Sequence, residues 1–368
     1  MTTCIATVAV ACAISALAVS ASAETIRATS GFGPNHAIAK NVYPATFAKL
    51  EELTEGRWTG QDTPSGLVAP NEMSNALRDG VSDFGPILIP YFVSEYPETN
   101  LPAELSTLGS SPAVIANAVT EYVVTCEPCQ AEFSRNGQVY LGSDATPLYQ
   151  LLSTKKVTKL ADLKGLKIRS GSPFYAAFIE TMGGVPVQMP SSELFESLSQ
   201  GVIDATISSP HEVIANRLGD VTGFVTEIDE GVFNSAAITT ASKILWERMD
   251  EQDRRALASA AQFGVASGMD AFDQQIAEVK DKNMVEFVQP DQGLLDARDA
   301  FNTGHLEKAV GILESRGVTD AQAKVDRYTA LIEKWEGLIP EGGVSVDEMA
   351  ALRDQEIWSK VDIATYGQ

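Results

Sequence analysis

The chain has 368 residues, of which 27 are lysine or arginine and 49 are aspartate or glutamate, so its formal net charge is −22. So acidic a surface is a poor partner for nucleic acid, because phosphate backbones attract basic surfaces. The length is sufficient for two domains of ordinary size, and the excess of carboxylates mainly favours solubility.

Residues 1–23 predict an export signal. They carry no charged side chain, are rich in alanine and valine, and end in Ala21-Ser22-Ala23, the small-x-small pattern after which signal peptidase cuts. A membrane helix is the alternative, but serine interrupts the apolar run and no basic cluster follows it. We therefore expect cleavage after Ala23 and a mature protein in the periplasm.

Two cysteines remain after that cleavage, Cys126 and Cys129 in the sequence C-E-P-C. A redox-active C-x-x-C motif would need a thioredoxin-like strand before it, whereas residues 113–124 are predicted as helix. A zinc site would need more histidine or cysteine ligands than this segment offers. A small structural disulfide is therefore the favoured interpretation in an oxidising compartment.

The first part of the mature chain alternates strands and helices. A strand at 25–29 leads into the loop S-G-F-G-P-N-H, and apolar residues at helical spacing then predict a helix over 37–53. A helix at 71–78 and the strand V-S-D-F-G-P follow. His36 falls in the loop after the first strand, where a ligand contact and a capping or surface role are both open.

The pattern Leu-x-x-Gly-Val-x-Asp occurs twice, at residues 77–83 and 198–204. In each copy a left-handed glycine would end a helix, valine would start a buried strand, and aspartate would lie near the end of that strand. Two copies in separate parts of the chain predict two lobes that are built from related α/β units.

The middle of the chain predicts an open, mostly parallel sheet, because strands and helices alternate with short connections. The strands are expected at 138–142, 149–153, 166–169, 185–189 and 202–207, and the helices at 174–182 and 192–200. Ligands bind beyond the carboxyl ends of the strands in such sheets. Arg169, Gln188 and the pair Ser208-Ser209 fall at those ends.

Arg169 ends the strand K-I-R inside the phrase L-A-D-L-K-G-L-K-I-R, residues 160–169. Its planar, permanently charged guanidinium can hold a carboxylate through two parallel hydrogen bonds. A surface arginine is the plain alternative, since most arginines are exposed. The position of Arg169 at a strand end favours a role in binding.

The last part of the chain is predicted to be mostly helical. Strands at 224–228 and 233–240 come first, and apolar residues at helical spacing then predict a helix of roughly 38 residues within 249–288, in which Gly264 and Gly268 would allow a bend. A helix of that length suits a span across two lobes. Three acidic amphipathic helices are expected at 294–316, 321–338 and 345–361.

The sequence contains no motif of a common enzymatic chemistry. It has no G-x-S-x-G, P-loop or H-E-x-x-H. Its three histidines, His36, His211 and His305, are too scattered to predict a metal site or a catalytic triad. We therefore expect a binding protein without a cofactor, not an enzyme.

The chain resembles the extracytoplasmic solute-binding subunits of tripartite ATP-independent periplasmic (TRAP) transporters, of the dicarboxylate-binding-protein (DctP) type. The resemblance rests on the phrases P-S-G-L at 64–67, A-L-R-D-G-V-S-D at 76–83, L-A-D-L-K-G-L-K-I-R at 160–169, G-G-V-P-V-Q-M-P-S-S-E at 183–193 and L-S-Q-G-V-I-D-A-T at 198–206. It implies two α/β lobes, joined by crossing strands and a long helix, that close on a small organic acid. It also implies delivery of that acid to the membrane subunits of a TRAP transporter.

We accordingly expect three parts in the chain. Residues 1–23 would be the signal peptide, and lobe I would comprise 24–148 with about 236–275. Lobe II would comprise 149–235 with about 276–368, including the C-terminal helices.

The resemblance also implies roles for particular residues. Arg169 matches the family arginine that pairs with the ligand carboxylate, and a second polar position about twenty residues earlier falls on Tyr149 or Gln150. Where the family often has asparagine this chain has S-S-P-H, so that Ser208, Ser209 or His211 would serve. The remaining candidates, at loops and facing strand ends, are Ser191, His36, Phe84, Phe174 and Asn234.

For Phe84 and Phe174 packing in the core is an equally open interpretation. Two other functions also remain open for the chain as a whole. An exported hydrolase would act on esters or glycosides, and an exported sensory or partner-binding protein would feed a membrane receptor.

Overall fold

The structure is a computed structural model that describes residues 23–64 and 67–368. The expected signal peptide therefore lies outside the described residues except for Ala23, and so do Ser65 and Gly66 of the P-S-G-L phrase. None of the helices in the described ranges combines the length and the apolar character that crossing a membrane requires.

The described ranges contain two separate sheets. Their strands are β1 (Glu24–Ala28), β2 (Trp58–Asp62), β3 (Phe84–Leu88), β4 (Gln138–Asp144), β5 (Gln150–Ser153), β6 (Lys167–Ser170), β7 (Val185–Gln188), β8 (Ala205–Ser208), β9 (Phe224–Thr226), β10 (Ala236–Ser242) and β11 (Glu286–Val288). The first sheet has the order β2-β1-β3-β10-β4 and the second the order β11-β9-β5-β8-β6-β7. In the second sheet β6 runs parallel to β7 and β8, whereas β5 is antiparallel to both of its neighbours.

Helices cover both sheets. They are α1 (Tyr43–Leu53), α2 (Met73–Arg78), α3 (Leu101–Glu104), α4 (Pro112–Val124), α5 (Glu127–Arg135), α6 (Leu160–Leu163), α7 (Pro173–Thr181), α8 (Leu194–Ser199), α9 (Glu212–Ala215), α10 (Lys243–Arg248), α11 (Glu251–Asp281), α12 (Gln292–Leu306), α13 (Ala309–Ser315), α14 (Ala321–Leu338) and α15 (Val346–Glu356). A wider π-helical stretch, Ile38–Val42, precedes α1. The predicted two-lobed α/β fold is confirmed.

Within the part of the chain that the structure describes, three connections cross between the two sheets, at residues 145–149, 227–235 and 282–285. The first two join β4 to β5 and β9 to β10, and the third joins α11 to β11. These crossings place the carboxyl ends of β4 and β6 and the turn after β3 around a common space. That space contains the site described below.

The predicted helix within 249–288 is wrong in its last part. The helix α11 ends at Asp281, and β11 follows at Glu286–Val288 beside β9. Asn283 adopts a φ of 50°, a left-handed conformation that does not continue a helix. Apolar spacing alone did not reveal this stop, because Val285 and Val288 also fit the helical period.

Other helix and strand predictions also differ from the structure. In the repeated Leu-x-x-Gly-Val-x-Asp pattern the valines do not start buried strands: Val81 and Val202 are about half exposed, and β3 and β8 begin only after Asp83 and Asp204. The helix predicted at 294–316 is divided at residues 307–308 into α12 and α13. Strand β2 was not predicted, because its sequence W-T-G-Q-D lacks a clear alternation. It is fixed by parallel pairing with β1 instead.

Gly264 and Gly268 allow close packing of α11. A Cβ atom on Gly264 would lie 2.6 Å from the carbonyl oxygen of Val42, and one on Gly268 would lie 2.3 Å from a methyl group of the same valine. The helix continues through both glycines as a single segment. Glycine is therefore required at these two positions because the 38–53 segment packs directly against the backbone of α11.

The C-terminal helices α14 and α15 lie against α4 and α11. Arg353 of α15 is completely buried and donates from Nε to Asn117 Oδ1 at 2.5 Å and from Nη2 to the Ser143 carbonyl at 3.0 Å. These contacts attach the end of the chain to helix α4 and to strand β4 of the first sheet. The exact division of the chain between the lobes stays a prediction.

Cys126 and Cys129 lie at the start of α5 with their Cα atoms 5.2 Å apart. That distance is within the range of disulfides, so the geometry permits the expected bond. The pair encloses one turn at the beginning of a helix, where Cys126 also caps the backbone N–H of Cys129.

Candidate functional site

A small cavity of about 40 Å³ lies between the two sheets. Its walls are largely apolar and aromatic, with a few buried polar side chains that converge on it. The lining residues are Phe32, His36, Ile38, Leu88, Tyr91, Asp144, Thr146, Tyr149, Arg169, Ser191, His211, Glu212, Phe233, Ala236, Ile238 and Phe272. The volume counts the space open to the centre of a water molecule, of which one water needs about 10–15 Å³.

Larger depressions occur elsewhere, such as one of about 610 Å³ near Pro112 and Pro340. Within the described residues no lysine, arginine or histidine lines that depression. The smaller cavity is the better candidate site, because buried polar groups in an apolar cleft are typical of ligand pockets.

Arg169 is the buried cation of this cavity, with 1% of its surface exposed. Strand β6 carries it to the cleft, and Nε donates to the Met189 carbonyl at 2.9 Å. A Cβ atom on Gly171 would lie 3.1 Å from Nη1, so the absence of a side chain there leaves room for the guanidinium. Among the described residues Nη1 has no hydrogen-bond acceptor, whereas Nη2 donates to Tyr91.

The Tyr91 hydroxyl receives two donors from the opposite side of the cleft. Tyr91 lies in the short turn after β3, on the first sheet. Its oxygen accepts from Arg169 Nη2 at 2.8 Å and from the backbone N–H of Ser191 at 3.2 Å. Two donors of the second lobe therefore converge on one oxygen, as they would on an oxygen of a carboxylate.

Aromatic rings form much of the wall. Tyr149 stacks on Phe233 with ring centroids 5.9 Å apart and on Tyr175 with centroids 4.8 Å apart. Burial raises the pKa of the Tyr149 phenol, so that the hydroxyl stays neutral. Phe32 stacks on His36 at 4.1 Å. Flat apolar faces of this kind suit a ligand with an apolar or aromatic body.

His36, His211 and Glu212 form a buried cluster at the other side of the cavity. One nitrogen or oxygen atom of each lies within 4.8 Å of those of the other two. His36 Nδ1 accepts from the Ile38 backbone N–H at 3.2 Å. Glu212 accepts from Asn216 Nδ2 at 2.6 Å. Both ring nitrogens of His211 lack a hydrogen-bond partner in the part of the chain that the structure describes.

Burial determines the charge of this cluster. It lowers the pKa of His36 to about 3 and, together with the neighbouring His36, holds the pKa of His211 well below its ordinary value. Burial raises the pKa of Glu212 to about 7, although the charge of Arg169 and the Asn216 hydrogen bond favour the ionised carboxylate. Both imidazoles are therefore neutral at physiological pH.

A second buried carboxyl group, Asp144, lies at the end of β4 on the cavity wall. Burial raises its pKa to about 7, and the positive charge of Arg353 acts in the opposite direction. The cavity therefore holds one arginine with two carboxyl groups that ionise near neutral pH.

Five of the residues named as site candidates from the sequence line the cavity, namely Arg169, Tyr149, Ser191, His36 and His211. Ser208 and Ser209 are completely buried at the end of β8 and do not line it. Neither of their hydroxyls has a hydrogen-bond partner within the described ranges.

The structure does not bring Gln150 or Asn234 to the cavity. Gln150 exchanges two hydrogen bonds with Asp229, donating to Oδ1 at 2.5 Å and accepting from the backbone N–H at 2.9 Å. Asn234 donates to the Pro102 carbonyl at 3.1 Å. Both side chains therefore hold connecting segments in place.

Phe84 and Phe174 also lie away from the cavity lining. Phe84 packs edge-on against Tyr43 and Phe47 in the first sheet's core. Phe174 packs against Phe301 and His305 beside α12. Both rings therefore pack in the core, which was the alternative that the sequence left open for them.

The sequence reasoning missed Tyr91, Asp144, Glu212 and Phe272. Tyr91 and Asp144 follow or end predicted strands, so the rule that ligands bind at strand ends could have indicated them. Glu212 directly follows the S-S-P-H segment, of which His211 was named as an alternative. Phe272 lies within a long helix, where its apolar spacing looks like that of any core residue.

Comparison with known proteins gives concordant matches. The family model described as bacterial extracellular solute-binding protein, family 7 (DctP), matches residues 33–294. A solute-binding protein of Albidiferax ferrireducens is 27% identical over 191 residues, which span 50% of this chain and 54% of that protein. The match thus covers about half the length of that relative.

Two solved structures share the fold. A marine metagenome TRAP solute-binding protein specific for aromatic acids, in complex with metahydroxyphenylacetate, is 19% identical, with a TM-score of 0.74 over 85% of this chain and 99% of that one. A TRAP solute-binding protein of Rhodoferax ferrireducens, in complex with copurified benzoate, is 20% identical, with a TM-score of 0.74 over 86% and 99% of the two chains. At these identities the likeness concerns the fold.

Proposed function

Since the chain belongs to the DctP family of bacterial extracellular solute-binding proteins, we propose that it binds a small organic acid in the periplasm and delivers it to the membrane subunits of a TRAP transporter. The family is one of binding proteins, and the TRAP resemblance seen in the sequence is confirmed. Residues 1–23 would direct export and would be cleaved off after Ala23.

The observation that carries this proposal is the convergence of Arg169 Nη2 and the Ser191 N–H on the Tyr91 hydroxyl. A carboxylate that displaced this hydroxyl would accept the same two donors, and Arg169 Nη1 would supply a third. Because the cleft is buried, hydrogen bonds to a charged group there are worth more than at the surface.

The other residues that line the cavity indicate which kind of organic acid it would bind. Phe32, Phe233 and Phe272 offer apolar faces opposite a single arginine. We therefore favour an acid with one carboxylate and an apolar or aromatic body. Benzoate and metahydroxyphenylacetate, which two proteins of the same fold bind, are suitable first probes.

The proposed mechanism is binding with closure of the cleft. The acid enters while the lobes are apart, because nearly all the residues around the cavity, Arg169 among them, are buried in this structure. Arg169 then pairs with its carboxylate, and the side of the first sheet that carries Tyr91 closes over it. Closure requires that the ligand make better contacts in the closed form than in the open form.

The test is a thermal-shift screen of mono-, di- and keto-acids, aromatic acids and zwitterionic osmolytes, followed by calorimetric titration of the hits. A ligand that binds the folded protein raises the unfolding temperature, by an amount that grows with the logarithm of its excess over the dissociation constant. Absence of any stabilising acid in a broad panel would contradict the proposed function.

Arg169→Met should weaken the binding of a verified acid by about 10²–10³-fold, because two charge-assisted hydrogen bonds contribute about 3–4 kcal/mol together. Arg217→Met is the matched control, since Arg217 is exposed and pairs with Asp220 on the same lobe. A folded Arg169→Met protein that bound the acid as tightly as the wild type would refute the assignment of the anchor.

A further inference from the structure

The cluster of His36, His211 and Glu212 has a composition that the binding of an organic acid does not explain. The whole chain contains three histidines, and two of them meet in this one cavity. The third, His305, is paired with Glu104 at 3.1 Å outside it. A buried histidine normally has hydrogen-bond partners, yet neither nitrogen of His211 has one among the described residues.

The donor set is one that binds transition metals. Two neutral imidazoles and a carboxylate form the protein ligands of many zinc and iron sites that keep an open coordination position. Both imidazole rings are buried on the cavity wall next to the Glu212 carboxylate. Three protein ligands would leave one or more positions for a solute.

The distances are compatible with such a site after small movements. Ligand atoms about 2.1 Å from a tetrahedral ion lie about 3.4 Å from one another. His211 Nε2 and Glu212 Oε1 are 3.9 Å apart, and all three ligand atoms lie within 4.8 Å. Rotations of the three side chains that move their ligand atoms by about 1 Å would therefore bring these atoms to the spacing of a tetrahedral metal site.

His36 would have to change its hydrogen bond on binding a metal. In this structure Nδ1 accepts from the Ile38 N–H, which places the ring proton on Nε2. Coordination through Nε2 requires the other tautomer and breaks that hydrogen bond. At 3.2 Å the bond is at the long end of the normal range, and coordination to the ion can offset its loss.

The charges of the cavity also favour a cation. An acid bound at Arg169 would bring a second negative charge next to Glu212, which already faces the arginine. A divalent ion between the two carboxylates would remove their repulsion. The carboxylate of the acid would then contact both Arg169 and the ion.

We propose that His36, His211 and Glu212 bind one divalent transition-metal ion and that an oxygen of the bound acid completes its coordination. The part concerning the acid rests on the proposed function, whereas the metal site stands on these three residues alone. The protein would then take up the acid together with the metal ion.

The first experiment uses metal without any organic acid. Purified full-length mature protein is stripped with a chelator and titrated with Zn²⁺ by calorimetry, and with Co²⁺ by visible spectroscopy. We expect one ion per chain and visible Co²⁺ bands of the intensity typical of a four- or five-coordinate ion. Stoichiometry well below one, or only the weak bands of hydrated Co²⁺, would overturn the proposal.

Variants identify the ligands. His211→Ala and Glu212→Gln should each weaken Zn²⁺ binding by at least about 100-fold, while His305→Gln, the remaining histidine, should leave it unchanged. Circular dichroism and the unfolding temperature check that each variant is folded. If His211→Ala does not fold, Glu212→Gln still tests the site, because glutamine has the shape of glutamate. Undiminished Zn²⁺ binding by a folded Glu212→Gln protein would exclude this site.

The second experiment separates the two proposals. The binding of benzoate, or of another acid found in the screen, is measured with excess chelator and with saturating Zn²⁺. We expect Zn²⁺ to raise the affinity for the acid at least about fivefold and the acid to raise the affinity for Zn²⁺ by the same factor. Zn²⁺ binding without any effect on the acid would contradict the joint uptake, and acid binding in chelator alone would leave the proposed function intact.

An ammonium group of a zwitterionic ligand is the main rival occupant of this cluster. It would hydrogen-bond to Glu212 and His211 and would not produce the Co²⁺ spectrum. If zwitterions alone stabilise the protein and neither Co²⁺ nor Zn²⁺ binds, the metal proposal is wrong.

Discussion

Replacing Asp144 with asparagine should stabilise the folded protein, and more strongly at pH 8 than at pH 5. The carboxyl group is buried on the cavity wall, and burial raises its pKa from 3.8 to about 7 despite the charge of Arg353. Tyr43 and Tyr140 also face it, and both are neutral phenols because burial raises the pKa of each. Among the described residues, the charge of Arg353 and the backbone N–H of Asp144 itself favour the ionised carboxylate, and burial outweighs both.

The magnitude follows from the linkage between proton binding and folding. Each pKa unit corresponds to about 1.4 kcal/mol, so the shift from 3.8 to about 7 costs the folded state about 4 kcal/mol. Below pH 3.8 both states are protonated and there is no cost. As the pH rises toward 7 the folded state retains its proton longer than the unfolded state, so the stability of the wild type falls.

Asparagine resembles the protonated carboxyl group and does not titrate. The gain in stability of Asp144→Asn should be about 2 kcal/mol at pH 5 and about 4 kcal/mol at pH 8, which are upper values because the neutral amide must fit the same space. The control is Asp220→Asn, since Asp220 is an exposed partner of Arg217 and should show little change at either pH.

The assay is thermal unfolding of the ligand-free proteins between pH 5 and pH 8.5, followed by circular dichroism. The difference in unfolding temperature between Asp144→Asn and wild type should increase steadily with pH. An Asp144→Asn protein whose advantage is constant with pH, or that is less stable at pH 8, would refute the reasoning about burial.

Three further predictions concern single residues. Tyr91→Phe should raise the affinity for a verified acid by about five- to tenfold in calorimetric titration, because a hydroxyl whose hydrogen bond contributes about 1 kcal/mol no longer competes for Arg169. Gly231→Ala should lower the free energy of unfolding by more than about 2 kcal/mol, because φ is +73° and the new Cβ would lie 2.4 Å from the Ser106 carbonyl oxygen. Arg353→Met should lower it by about 3–5 kcal/mol in urea denaturation, because buried polar partners lose their donor.

Each of these changes has a matched control in the chain. Tyr175→Phe removes another buried hydroxyl, one without a hydrogen-bond partner among the described residues, and should not change acid affinity in the same way. Gly223→Ala introduces a Cβ with no atom within 4 Å and no positive φ. Equal destabilisation by both glycine changes, or an unchanged affinity in Tyr91→Phe, would contradict the respective explanation.

The sequence predicted those parts of the fold that depend on local periodicity. The helix at 321–338 and the strand ending near Arg169 are examples, since a regular apolar spacing and a short alternating run were enough to place them. The end of α11 was missed because the spacing of apolar residues continues past Asn283, where the backbone turns into the left-handed conformation and the helix stops. Strand β2 depends on its partner strand and has no signal of its own.

The candidate site was predictable where one residue carries a distinct chemistry at a strand end. Arg169 satisfied both conditions, and Tyr149 and Ser191 lie close to it in the chain's α/β units. His36 and Glu212 could not be paired from the sequence, because 175 residues separate them and only the crossing connections bring them together. Aromatic residues such as Phe84 were ambiguous, since the same ring suits a core and a ligand pocket.

The close contact of Gly264 and Gly268 with Val42 has a mechanical consequence. It attaches the N-terminal half of the 31-residue helix α11, through Gly268, to the 38–53 segment, because neither glycine has a side chain that would hold the helix away from Val42 and Thr46. That half should behave as a rigid mount, and flexing should be concentrated where the helix leaves it, around Asn283, and in the connections 145–149 and 227–235. Amide hydrogen exchange should accordingly be slow around Gly264 and fast at those three short segments.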